Sequence, residues 1–188
     1  MNLANGWNKR RCPLTSANNP RKDLRTELNL FDELIRMRDE QREKVKDAVW
    51  LIKGNQLPWE INRHGKMQWY LHPSLDDVVT RTVMFYRQEI PGGSKSGRQK
   101  GGGSIVFYVL KGRGYTIVDG IRHPWKAGDV INLPIKEEGI VYQHFNADAT
   151  EPVLLAGCEP NLTDALGVDK GCGFEELEDC PEYKALKG

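Results

Sequence analysis

Apolar residues recur at helical steps in the first quarter of the chain and at strand steps afterwards. Between residues 23 and 53, Leu24, Leu28, Phe31, Leu34, Ile35, Val45, Val49 and Ile52 follow one another mostly at three- and four-residue steps, with charged residues on the other faces. This spacing predicts one long helix or two shorter ones. The charges between residues 36 and 47 alternate in sign, as on a solvated helix face laced with i,i+4 pairs. Gly54-Asn55-Gln56-Leu57-Pro58 closes that part, and from Trp59 the chain turns to short apolar runs broken by Gly, Pro, Asn and Asp. Strands are expected at 67–71, 78–90, 104–110, 114–119, 129–133, 139–145 and 153–156, with Asp119-Gly120 as a hairpin turn. Strands at such close, regular spacing predict a sandwich or small barrel, so the fold class is mainly β with an N-terminal helical extension.

Composition narrows the picture. The chain has 188 residues, enough for one ordinary domain with a sizeable core. It divides into an N-terminal arm (1–20) rich in Asn, Pro, Arg and Lys, a helical extension (21–54), a barrel (59–157) and an acidic, Gly-rich C-terminal tail (158–188). The tail is expected to pack locally or to form a short helix. Lys plus Arg number 27 against 26 Asp plus Glu, a net charge of +1, so no overall field draws the chain to nucleic acid or an anionic membrane. The longest apolar runs, 105–110 and 153–156, fall far short of the roughly 20 residues of a spanning helix. The basic start lacks an apolar stretch after it, so a soluble, cytoplasmic protein is expected. Cys12, Cys158, Cys172 and Cys180 form no Cys-x-x-Cys pair, and a reducing compartment keeps them as thiols. Gly92-Gly93 and Gly101-Gly102-Gly103 lie between strands rather than before a helix, which excludes a phosphate cradle of the usual kind.

The stretch 112–120, followed by Gly128-Asp129 and a strand ending in Pro134, resembles the middle of a cupin, a small jelly-roll barrel or double-stranded β-helix. The family's first motif runs Gly, five residues, His-x-His, three or four residues, Glu, six residues, Gly. Here Gly93 opens it and Gly112 closes it, with Gln99 and Gly101 at the His positions and Ile105 at the Glu position. The second motif starts at Gly128 and continues through Gly139 to Asn146, with Tyr142 at the His position. Met67-Gln68-Trp69-Tyr70-Leu71-His72-Pro73 and Gln143-His144-Phe145-Asn146 are similar to cupins grouped with gentisate-type, aromatic ring-cleaving dioxygenases.

In metal cupins, three His and often a Glu converge on a divalent ion. All four positions differ here, so the resemblance implies a cupin fold whose usual metal site is substituted, and no cofactor is expected. If the family's ligand positions face the interior, strand alternation sends Gln99, Phe107, Tyr142, His144 and Asn146 there too. These make an apolar pocket with a polar end, suited to a small, flat, partly polar molecule such as an aromatic or organic acid. His144 with Tyr142 is the expected acid/base pair of a metal-independent isomerase or lyase, Gln99, Phe107 and Asn146 the expected ligand contacts, and Arg98 a cation for a carboxylate at the mouth. Without turnover, the same pocket would serve a binding subunit. One alternative is an Fe(II)-dependent ring-cleaving dioxygenase, or one using another divalent metal, with an atypical ligand set including His144. Another is a structural partner of a larger enzyme. A homodimer is expected, with a small organic ligand and neither nucleic acid nor membrane as partner.

Overall fold

Alternation of large apolar with polar or small side chains decides which face of each strand turns inward, and two sheets result. The computed structural model describes residues 29–75, 77–161 and 174–188. The chain forms two units, 1–46 and 47–188. In the first, helix α1 (Leu30–Lys46) starts at Asn29, whose side-chain carbonyl accepts the amides of Phe31 (3.2 Å) and Asp32 (3.3 Å). Asp32 and Glu33 in its first turn and Lys44 and Lys46 in its last suit the helix dipole. The helix lies within the predicted span 23–53, but residues 47–53 are not helical. The N-terminal arm, residues 23–28, Cys12 and Cys172 lie outside the described residues.

In the second unit a 3-10 turn (Gly54–Gln56) precedes β1 (Glu60–Ile61), β2 (Lys66–Leu71), β3 (Val83–Ile90), β4 (Arg98–Gly101), β5 (Ile105–Lys111) and β6 (Arg113–Val118). Then come β7 (Ile121–Lys126), β8 (Val130–Leu133), β9 (Ile140–Asn146), β10 (Val153–Pro160), β11 (Glu175–Glu178) and helix α2 (Pro181–Lys187). One sheet has the order β1-β2-β3-β10-β5-β8 and the other β11-β4-β9-β6-β7, with antiparallel pairing throughout. This is a two-sheet jelly roll. Asp119 (φ 47°) and Gly120 (φ 86°) form the β6–β7 hairpin turn with both residues left-handed, as their sequence predicts.

All seven expected strands are present. Four more were not expected, and each lacks a strand's usual signature. β7 contains Pro124, which its edge position tolerates. β4 (Arg-Gln-Lys-Gly) and β11 (Glu-Glu-Leu-Glu) turn polar or small residues inward, and β1 has two residues. Residues 158–188 thus contribute the end of β10, β11 and α2 rather than a local tail alone.

The interior wall from the first sheet is mostly apolar, with Gln68 and Gln88 buried in it, and the wall from the second mixes polar side chains with Trp125 and Ile140. The first sheet contributes Tyr86, Ile90, Ile105, Phe107, Val109, Ile131, Leu133, Val153 and Leu155, all buried. The second contributes Gln99, Thr116, Tyr142 and His144, also buried. Buried polar side chains must find hydrogen-bond partners, and those of the second sheet do so largely among themselves.

Candidate functional site

The turn joining β1 to β2 carries His64 into the barrel. Asn62 closes that turn by accepting the amides of His64 (2.9 Å) and Gly65 (3.1 Å) on its side-chain oxygen. The His64 carbonyl then accepts the amide of Gly97 (2.8 Å) and the side-chain amide of Gln88 (3.1 Å). The Cys180 amide donates to the Arg63 carbonyl (2.8 Å) and the Cys180 thiol to the Asn62 carbonyl (3.4 Å). Fastened on both sides, the turn holds the His64 imidazole 5% exposed, with neither ring nitrogen hydrogen-bonded.

Opposite it, β11 pairs with β4 so that Glu176 lies across from Gln99, and cross-strand partners share a face. The Gln99 side-chain amide donates to Glu176 Oε2 (2.8 Å), while the Tyr142 hydroxyl donates to Gln99 Oε1 (2.5 Å). Glu176 Oε2 stands 3.9 Å from His64 Nδ1, and Glu176 Oε1 has no partner. Close approach of the turn and β11 needs Gly97. A Cβ there would run into the Glu176 carboxylate and come within 2.6 Å of the Arg63 carbonyl oxygen.

His64, Gln99 and Glu176 line a cavity of about 390 Å³, together with Glu159 from β10 and an apolar side that includes Met67, Trp69, Met84, Tyr86 and Phe174. Burial pushes the Glu159 carboxyl above the usual carboxylate range, against the pull of a hydrogen bond from Tyr86 and the nearby His64. The Tyr86 hydroxyl is held well above its ordinary pKa, first by burial and then by the Glu159 charge.

Of the six residues expected to form the site, Gln99 alone lines this cavity. Phe107, Tyr142 and His144 are together as expected, but in the core outside the cavity lining: the Phe107 ring lies 4.4 Å from that of His144 and 5.9 Å from that of Tyr142. Asn146 is committed to loop closure. Its amide nitrogen serves the carbonyls of Ile90 (3.0 Å), Pro91 (3.0 Å) and Glu151 (2.8 Å), and its oxygen accepts the Asp148 amide (2.8 Å). Arg98 is exposed on β4 and does not line the cavity. His64 and Glu176, which form the polar end of this cavity, come from a two-strand turn and from an acidic segment near the C-terminus. Neither carries a local sequence signal beyond its residue type.

His144 is wired to the core. The Trp125 indole donates to the Thr116 hydroxyl (2.9 Å), which lies 2.7 Å from His144 Nδ1. An indole N–H only donates, so the pattern that uses the hydroxyl hydrogen sends it to Nδ1 and leaves the ring's own proton on Nε2. Nε2 has no partner. Burial first, and then the nearness of His64, push the His144 pKa down to about 3, so the ring is neutral. Burial likewise holds the Tyr142 phenol well above its ordinary range.

The residues present do not fit the divalent metal that cupins commonly carry. Among the described residues no three His, Cys, Asp or Glu side chains gather into a group able to hold an ion. The positions matching the family's ligands hold Gln99, Gly101, Ile105 and Tyr142. The nearest imidazole on β9, His144, is engaged at Nδ1 by the Thr116 hydroxyl (2.7 Å) and belongs to no such group. Cys158 and Cys180 are free thiols. No described helix is long and apolar enough to cross a membrane.

No family model and no curated protein matches the sequence. Among solved structures, the chain is similar to an RmlC-like cupin from Shewanella frigidimarina NCIMB 400, at 17% identity and TM-score 0.50, covering 63% of this chain and 96% of that one. It is similar to the polyketide cyclase RemF from Streptomyces resistomycificus, at 12% identity and TM-score 0.51, covering 61% of this chain and 80% of that one. A third likeness is to salicylate 1,2-dioxygenase from Pseudoaminobacter salicylatoxidans in its gentisate adducts, at 16% identity and TM-score 0.50, covering 64% of this chain but 31% of that one. These likenesses show the fold: the barrel is a cupin jelly roll, as the two glycine-spaced motifs led us to expect.

Proposed function

We propose that this cupin-fold chain binds a small organic molecule in the cavity over His64 and Glu176 and moves a proton on it, without the metal on which its fold relatives commonly rely. One observation carries the reading: a rigidly held, buried imidazole has both nitrogens unpaired beside a carboxylate with a free oxygen, and both residues line a cavity. Buried polar atoms without partners are rare, and a molecule in the cavity would give these theirs.

Imidazole is the side chain best suited to taking and returning protons near neutral pH. The 3.9 Å between His64 Nδ1 and Glu176 Oε2 is too long for a hydrogen bond, so both ring nitrogens are left for a bound molecule. His64 would take a proton from one atom of the bound molecule and return it to another, the chemistry of an isomerase or lyase. Gln99, steered by Tyr142, holds Glu176 in place. Tyr142 and His144 therefore act behind the site: Tyr142 through Gln99, and His144 as a neutral part of the core. The same cavity without turnover would serve a binding subunit.

The test is to denature the chain purified without a tag, identify released small molecules by mass spectrometry, and run elemental analysis in parallel after anaerobic exposure to Fe(II). We expect an organic molecule near one per chain that is lost from His64→Gln, and metal well below one per chain. One iron, manganese or nickel per chain, lost from His144→Asn, would replace this reading with the oxygenase. Neither molecule nor metal would favour a structural partner.

A further inference from the structure

Resting on that reading of the cavity, we propose that the molecule taken is a base, a protonated amine or amidine on a flat apolar body, and not an organic acid. Two carboxylates, Glu159 and Glu176, line the cavity, and Glu176 Oε1 is buried without a hydrogen-bond partner. The permanent cation among the described lining residues is Arg63, and its guanidinium is held at the rim by Asp179 (2.6 Å). Lys95 is likewise taken, by Glu178 (2.9 Å), and Arg98 is exposed on β4 outside the lining. A carboxylate ligand would meet two acids with no free inward-facing cation to bind it. A cationic head would meet the Glu176 carboxylate at the cavity's polar end, with the His64 ring as a second polar contact. Its apolar body would lie against Trp69, Tyr86 and Met67. The side chain of His64, nine-tenths buried and with two idle ring nitrogens, makes this a built site and not a surface cluster of acids. The burial that holds Glu159 protonated beyond the usual range is a cost that a bound cation would relieve.

Four probes of one shape separate the cases: benzylamine, benzamidine, benzyl alcohol and benzoate, titrated calorimetrically into the full chain at neutral pH. We expect the two cations to bind more tightly than benzyl alcohol and benzoate not to bind. Glu176→Gln, which keeps the shape and a contact for Gln99, should weaken the cations by about 10- to 100-fold, the worth of one charge-assisted hydrogen bond, and leave benzyl alcohol unchanged. Glu159→Gln should act in the same direction, so a misfolded first variant does not end the test. Benzoate binding as tightly as benzylamine and lost in His64→Gln would overturn the charge assignment and leave the cavity as the site. Cation binding indifferent to both substitutions would also overturn the assignment. Absence of binding by all four at millimolar concentration would overturn the inference and the reading beneath it.

Discussion

His144 offers a stability measurement whose sign follows from its surroundings. Its folded pKa lies at about 3 against an ordinary 6.5, because the ring is wholly buried and His64 is nearby. Between those values the unfolded chain binds a proton that the folded chain refuses, so stability contributed by the neutral ring is complete above pH 6.5 and is lost as pH falls toward 3. At 1.36 kcal/mol per pH unit, the loss from neutral pH to pH 5 is about 2 kcal/mol, and the ceiling across the window is about 5 kcal/mol. Against a total stability of roughly 5–15 kcal/mol for a domain, that is a large fraction. His144→Asn removes the titration, while an amide oxygen remains to accept the Thr116 hydroxyl. The variant is less stable at pH 7.5, since truncation in the core costs about 2–5 kcal/mol. Urea unfolding followed by tryptophan fluorescence at pH 7.5, 6 and 5 gives the gap between the two proteins. We expect that gap to shrink by about 2 kcal/mol over this range. A gap independent of pH would refute the claim that His144 is held neutral, and with it the Trp125–Thr116–His144 arrangement that fixes its role.

Three further outcomes follow from the geometry. Gly97→Ala sets a methyl group against the Arg63 carbonyl and the Glu176 carboxylate, so it should cost about 1–3 kcal/mol in urea unfolding and abolish binding of the cationic probes. Tyr142→Phe strands Gln99 Oε1 in the core, which should cost about 1–3 kcal/mol by the same assay and weaken ligand binding by releasing Glu176. The outer face of β5 and β8 exposes Val106, Tyr108, Leu110 and Val130 side by side, and light scattering should find twice the 21.4 kDa chain mass, falling to one copy in Tyr108→Lys.

The barrel was legible because its central strands carry their own evidence. Ile105, Phe107 and Val109 alternate with outward residues on β5, and the glycines at 93, 112, 128 and 139 take left-handed conformations at the turns where the motif expects them. Alternation also foretold that Gln99, Phe107, Tyr142, His144 and Asn146 would be buried. It could not say which of them a cavity reaches, because burial against the opposite wall and burial beneath a ligand look alike along a strand. Asn146 was absorbed by three carbonyls and His144 by Thr116, partners fixed by tertiary contacts. Glu176 was illegible for a different reason. A strand with three Glu in four residues reads as solvated tail until its neighbour is known, and that neighbour, Gln99, lies 77 residues earlier. His64 sits in a turn, where no periodicity assigns a direction.

The central claim is that the cavity over His64 and Glu176, and not a metal centre, is where this chain meets its ligand. A crystal structure of the tag-free chain grown with benzylamine and recorded with anomalous data at the iron edge tests it most directly. The account predicts the amine against Glu176 and His64, with no anomalous peak in the barrel. An anomalous peak ligated by His64, His144 and Glu176, or an amine bound elsewhere with the cavity holding only water, would contradict it.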